Sequence, residues 1–151
     1  PDQAALDGAC QGACGDHPVV GVNGCQASVY CDWAGGFLCF DTSWEAACQG
    51  PPTGVQTTYP YGDTHAPGQC NEGGVNSGSV VANEINLDCE GSLDSLFNMA
   101  GNVAELVRVA PSGPFQTRGG HWMSGPSETT CTANGPEQVA SSVGFRCCFA
   151  R

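Results

Sequence analysis

Asn98-Met99-Ala100-Gly101-Asn102-Val103-Ala104-Glu105-Leu106 packs oxygen donors and one glycine into a short segment, then runs into an apolar, strand-like stretch. Hard cations use such donors: Ca²⁺ takes about six to eight oxygens from carboxylates, amides and backbone carbonyls. Asn98 and Glu105 are the side-chain candidates. Gly101 permits a turn tight enough for the carbonyls of Gly101 and Val103 to face the same ion. Asn and Gly are also the commonest turn formers, so a plain turn is the competing explanation. A second polar group is Arg118, His121 and Trp122, where a histidine could act as general base or nitrogen ligand. The bland alternative is a surface histidine, and His17 and His65 read as lone residues.

The cysteines set the compartment. Eleven in 151 residues predict an oxidising, secreted or cell-surface setting, because cytosolic reductants would keep them as thiols. No Cys-x-x-Cys pair occurs, and Cys10-x-x-x-Cys14 lacks a tetrahedral partner pair, so disulfides fit better than zinc. Fifteen acids against four arginines and no lysine give a net charge of -11. Nucleic acid is thereby excluded as a partner, since no basic patch exists to displace phosphate counterions. Surplus carboxylates suit divalent cations or basic partners, or simply confer solubility. No apolar run reaches membrane-spanning length, no Asn-x-Ser/Thr acceptor is present, and the start at Pro1 predicts a processed, exported product.

These residues need elements to position them. Residues 1–16 form a cysteine-bearing arm, and one domain is expected over 17–151. Ala27, Tyr30, Cys31 and Ala34 recur at helical spacing, predicting a helix from Gly24 to Ala34 that stops at Gly35-Gly36. A second helix is expected from an Asp41 N-cap through Trp44, Glu45 and Cys48 to Gly50-Pro51-Pro52. Trp33 and Trp44 are placed on inward helix faces, with Trp122 also assigned to the core. Turn-forming residues dominate Thr53 to Gly91, predicting loops that need disulfides or ions to hold them. Strands are expected at Val103–Val109, Gln116–Trp122 and Val143–Phe149. The predicted class is α+β and loop-rich, with two short helices and a small twisted antiparallel sheet.

Four blocks stand in a telling order: His17-Pro18-Val19-Val20-Gly21-Val22 with Ala27 to Gly35; Ser43-Trp44-Glu45-Ala46-Ala47-Cys48 before Tyr59-Pro60-Tyr61-Gly62-Asp63; Leu96-Phe97 with the opening loop; and Arg118-Gly119-Gly120-His121-Trp122 with Gly144-Phe145-Arg146-Cys147. In this order the chain resembles the formylglycine-generating enzymes, or sulfatase-modifying factors, from about His17 to its end. The resemblance implies a C-type-lectin-like fold. It implies Ca²⁺ at Asn98, Gly101, Val103 and Glu105, through two side chains and two carbonyls. A further family calcium site would begin near Asn71 and Glu72, but its downstream pattern is not clear. The resemblance also implies the disulfides Cys31 to Cys147 and Cys48 to Cys131. Cys70 with Cys89 is a reasonable loop staple, and one of the remaining thiols is necessarily left over. Cys147 and Cys148 alternate faces on a strand and so should serve different partners.

The enzymes of this family oxidise a substrate cysteine with two copper-binding cysteines placed after Gly-Gly. Here those positions fall at Ser124 and Thr129, and hydroxyls do not replace thiolates for soft Cu(I). His121 stands where a serine is usual, and Ala104 where an aromatic residue is usual. Copper and formylglycine-type oxidoreductase chemistry thus become the alternative, with Cys131 better matched to the structural bridge. Non-catalytic recognition is the leading expectation, and its ligand face is Arg118, His121, Trp122, Ser124, Glu128 and Thr129, suited to a glycan or protein. The family domain normally begins earlier, so either the domain is cut down or another chain supplies the N-terminal part, by strand pairing near Val143–Phe149 or by a disulfide. A subunit of an extracellular structure is the narrower form of this expectation.

Overall fold

The computed structural model describes residues 14–51, 53–74, 78–82 and 88–150. After a 3-10 turn at Cys14–Asp16, the elements in order are α1 (Gly24–Trp33), β1 (Phe37–Leu38), α2 (Asp41–Gln49), β2 (Ala104–Arg108), β3 (Phe115–Arg118), β4 (Asn134–Pro136), β5 (Val143–Phe145) and β6 (Cys147–Cys148). Asn23 caps α1 through a reciprocal box with Gln26, satisfying two end N–H groups. At the other end, Gly36 N–H donates to Cys31 O and Gly35 N–H to Asp32 O, the paired bonds of a Schellman stop.

β2 is the spine. The four-stranded sheet has the order β4-β3-β2-β5, with β2 antiparallel to β3 and parallel to β5. β1 and β6 form a separate antiparallel pair. Side chains alternate across β2, so it is buried on both faces. Leu106 packs with Ala27, Cys31, Leu38, Ala104 and Val143. Its neighbour Val107 joins Cys39, Trp44, Cys48, Met99 and Cys131 on the other side. Each helix therefore covers one face of the same strand.

Among the described residues four disulfides tie the elements together: Cys31–Cys147, Cys39–Cys148, Cys48–Cys131 and Cys70–Cys89. Cys39–Cys148 adds a bridge to the three pairs considered from sequence. The adjacent Cys147 and Cys148 pin α1 and the β1–α2 junction respectively. Cys70–Cys89 brackets part of the irregular stretch, whose described residues contain only isolated bridges such as Tyr59 with Gly62.

Several expectations need correction. Trp33 is 81% exposed, whereas Trp44 is 1% exposed. On α1 the sheet-facing stripe is Ala27 and Cys31, and a residue two positions beyond Cys31 turns some 200° away, about 100° per residue. Trp122 is half-buried. The N-cap of α2 is Phe40, and Asp41 is the first helical residue. The strand expected to reach Trp122 stops at Arg118, because Gly119 and Gly120 take φ of +80° and +63° and turn the chain. The last expected strand breaks at Arg146, whose side chain leaves for Glu105, giving β5 and β6. β1 and β4, at two and three residues, are too short to carry a periodic signal.

Candidate functional site

The oxygen-rich loop and β2 meet at Glu105. Its Oε2 accepts from Trp44 Nε1 at 2.6 Å and from Arg146 Nε at 2.6 Å, and its Oε1 accepts from Arg146 Nη2 at 2.5 Å. Arg146 also donates to Phe97 O at 3.2 Å. Burial opposes the Arg146 charge, but Glu105 outweighs it and raises the guanidinium above its ordinary value. Asn98, Val103 and Glu105 are buried, and all three line a cavity of about 580 Å³ shared with Phe97, Asn102 and Arg146. Gly101 does not line it; at φ +71° it packs so closely that a Cβ there would lie 2.3 Å from Asn71 O. The donor types fit a hard cation. A carboxylate offers about four lone-pair sites, and three are taken, leaving one on Oε1. The nearby guanidinium offsets Glu105, so neutral oxygens would provide most of the ligation.

Asn71 and Glu72 are buried and committed within the protein. Asn71 Nδ2 donates to Ser79 O and Asn102 Oδ1. Glu72 Oε2 accepts from Thr129 Oγ1 at 2.5 Å, and its Oε1 lies 2.6 Å from His65 Nε2. His65, expected to stand alone, is thus the partner of a buried acid, a pairing invisible in sequence because the connecting loop doubles back.

The second cavity, about 520 Å³, lies over the Gly-Gly turn between β3, β4 and the segment 120–138. Arg118, His121, Ser124 and Glu128 line it, together with Asn134 and Gln138, which sequence reasoning did not single out. Thr129 is fully buried and does not line it. Trp122 lies outside the lining too; its N–H donates to Asn102 O. Arg118 is spent on structure: it pairs with Asp41 at 2.6 Å and Glu45 at 2.9 Å and donates to Cys131 O. Burial opposes charge at both Asp41 and Arg118, but their mutual hydrogen bond and attraction win, lowering the Asp41 carboxyl and raising Arg118. Gln116 donates a further short hydrogen bond to Asp41. Ser124 Oγ accepts from His121 N–H at 3.1 Å, and His121 Nδ1 accepts from Met123 N–H. The hydroxyls of Ser124 and Thr129, expected from the resemblance to stand at the copper-binding cysteine positions, are therefore held in internal bonds. Among the described residues no cysteine lines this cavity.

The profile of the sulfatase-modifying factor enzyme 1-like domain matches residues 5–151. The chain belongs to the sulfatase-modifying factor family. Family relatives include the serine/threonine-protein kinase pkn1 of Chlamydia caviae, 33% identical over 87% of this chain and 24% of its own length. The formylglycine-generating enzyme of Thermomonospora curvata is 28% identical over 87% of this chain and 55% of its own. The inactive C-alpha-formylglycine-generating enzyme 2 of Bos taurus is 27% identical over 87% of this chain and 50% of its own. The family thus holds proteins named as active and as inactive, and the chain spans about a quarter to about half the length of these relatives. The solved structure of CarF shares the fold, with TM-score 0.65 at 18% identity over 91% of this chain and 69% of that one. Four disulfides among the described residues fit an extracellular or secreted member. No helix among the described residues is long and apolar enough to cross a membrane.

Proposed function

We propose that this sulfatase-modifying factor domain is a secreted, non-catalytic recognition or assembly module that binds a neutral, hydroxyl-rich ligand such as a glycan in the cleft over Gly119-Gly120. The absence of any thiol among the cleft's lining residues carries this reading: Ser124 and Thr129 stand at the cysteine positions, and Cys131 is consumed by its bridge to Cys48. Two thiolates are what a Cu(I) centre for cysteine oxidation would need. The arginine among the described residues lining the cleft, Arg118, is committed to Asp41 and Glu45, which disfavours sulfated or phosphorylated ligands. Hydroxyl and amide groups of Ser127, Thr132, Asn134 and Gln138, with the Glu128 carboxylate, suit sugar hydroxyls. Cu(I) competition against a chromophoric chelator tests the non-catalytic reading, and stoichiometric uptake that survives Cys25→Ser would overturn it. A glycan array tests the ligand class; binding should be lost with His121→Ala and Glu128→Ala.

Calcium belongs to the same reading, held through Asn98, Glu105 and the Val103 carbonyl, which share one cavity, whereas Gly101, also expected as a ligand, lies outside its lining. With Glu105 already half-neutralised by Arg146, the affinity should fall on the order of 10⁻⁴–10⁻³ M, as in extracellular modules. Saturating calcium should then add about 1–2 kcal/mol of stability. Asn98→Ala, which leaves the Glu105 pair intact, should abolish the chelator-sensitive shift in melting temperature. An unchanged melting temperature in the parent chain on chelation would remove calcium from this account.

A further inference from the structure

The face of α1 turned away from the sheet carries Cys25, Val29 and Trp33 at four-residue intervals, with Tyr30 beside them. Val29 is 69% exposed, Tyr30 49% and Trp33 81%. With Cys25 and Gln26 they line a groove of about 540 Å³ that contains no charged residue. In a chain of net charge -11 this matters. Two copies approaching through most of the surface would oppose like charges, whereas the described residues lining this groove carry none, and the exposed Asp32 lies at its flank.

Area then decides how such a pair could be held. A full aromatic side chain contributes about 150–250 Å². The exposed parts of Val29, Tyr30 and Trp33 therefore supply roughly 400 Å² per copy, against about 800 Å² per partner in a standard stable interface. Apolar contact alone leaves a weak dimer, so a durable one needs a covalent link on the same stripe. Cys25 is exposed and is the free cysteine among the described residues. Eight of the eleven cysteines close the four bridges found among the described residues, and Cys25 stands outside them on this exposed stripe.

We propose that the outward face of α1 is a homodimer interface in which the Cys25 thiols of two copies form a disulfide across a two-fold axis. The interface is self-complementary, with Val29 and Trp33 of each copy flanking the link. The proposal rests on the oxidising setting inferred above. A small-molecule disulfide such as oxidised glutathione first forms a mixed disulfide with one Cys25, releasing one reduced thiol. The Cys25 thiolate of the second copy then attacks that mixed disulfide and expels the other. Two protein thiols lose two electrons and two protons, and the donor disulfide gains them.

The test is non-reducing electrophoresis and sedimentation of the whole chain equilibrated in a glutathione buffer, with peptide mapping of the link. A species of twice the 15.5 kDa chain mass, joined through Cys25 and lost in Cys25→Ser, is expected. Trp33→Ser, which touches no buried group, should slow dimer formation several-fold at equal concentration. A monomer with four bridges and an alkylatable Cys25, an internal bridge from Cys25 to Cys10 or Cys14, or a dimer linked through another cysteine overturns the interface. A chain isolated with all its thiols reduced overturns the oxidising setting itself, a separate outcome.

Discussion

Glu105 is the residue on which the loop, β2 and the C-terminal segment converge, and its charge is answered by Arg146 rather than by solvent. Glu105→Gln would leave the mostly buried guanidinium without its counter-charge, which costs about 3 kcal/mol in comparable buried pairs. Urea unfolding would measure that loss, and a shift under about 1 kcal/mol would argue against a buried ion pair here. Asp41 and Arg118 offer a pH test. The folded Asp41 carboxyl sits below its ordinary value of 3.8, so its stabilising contribution is complete above that pH. It is lost as pH falls through the lower, folded value. Asp41→Asn should flatten the acid limb of the stability profile below about pH 4 and leave the neutral region's slope unchanged. Gly119 and Gly120 are further fixed points: a Cβ at Gly119 would lie 2.7 Å from Met99 O, and one at Gly120 would lie 2.9 Å from Glu128 O. Gly120→Ala should cost about 1–3 kcal/mol through left-handed strain alone and disturb the cleft directly above it.

The two tryptophans of the helices separate what each element does. Trp44 on α2 lies in the core and donates to Glu105, so Trp44→Ala should cost about 3–5 kcal/mol. Trp33→Ala should change stability by less than about 0.5 kcal/mol, as exposed positions do. Chemical denaturation of the pair gives a ratio that would invert if α1 were rotated by half a turn. Both helices were legible in the sequence because their glycine stops and residue spacing are local, although the N-cap of α2 was expected one residue late. Their facing was legible only for α2. In α1 the small residues Ala27 and Cys31 face the sheet while the large aromatic does not, so size alone pointed the wrong way. β2 was legible as a run of apolar residues; β1 and β4 were not, because two- and three-residue strands exist only through their partners.

At the scale of the molecule, the disulfides dominate stability. Three bridges span 116, 109 and 83 residues, each worth about 4–5 kcal/mol in the chain-entropy model, and the fourth, spanning 19, about 3 kcal/mol. Even at half strength their sum is comparable to the whole 5–15 kcal/mol stability of an ordinary domain. Reduction by excess dithiothreitol should therefore abolish the near-ultraviolet circular dichroism at 25 °C without added denaturant. Retention of the folded signal would shift the weight back to the two small cores.

By itself the sequence determined the family, the two helices and the central strand, because residue type and order along the chain carry each of these. Only the tertiary structure decided which polar groups remain available. It committed Arg118 to Asp41 and Glu45, Glu105 to Arg146, and Glu72 to His65 and Thr129. It also turned Cys25 and Trp33 outward together. Those partners lie from 7 to 77 residues apart, and nothing short of the folded chain brings their charges within hydrogen-bond reach.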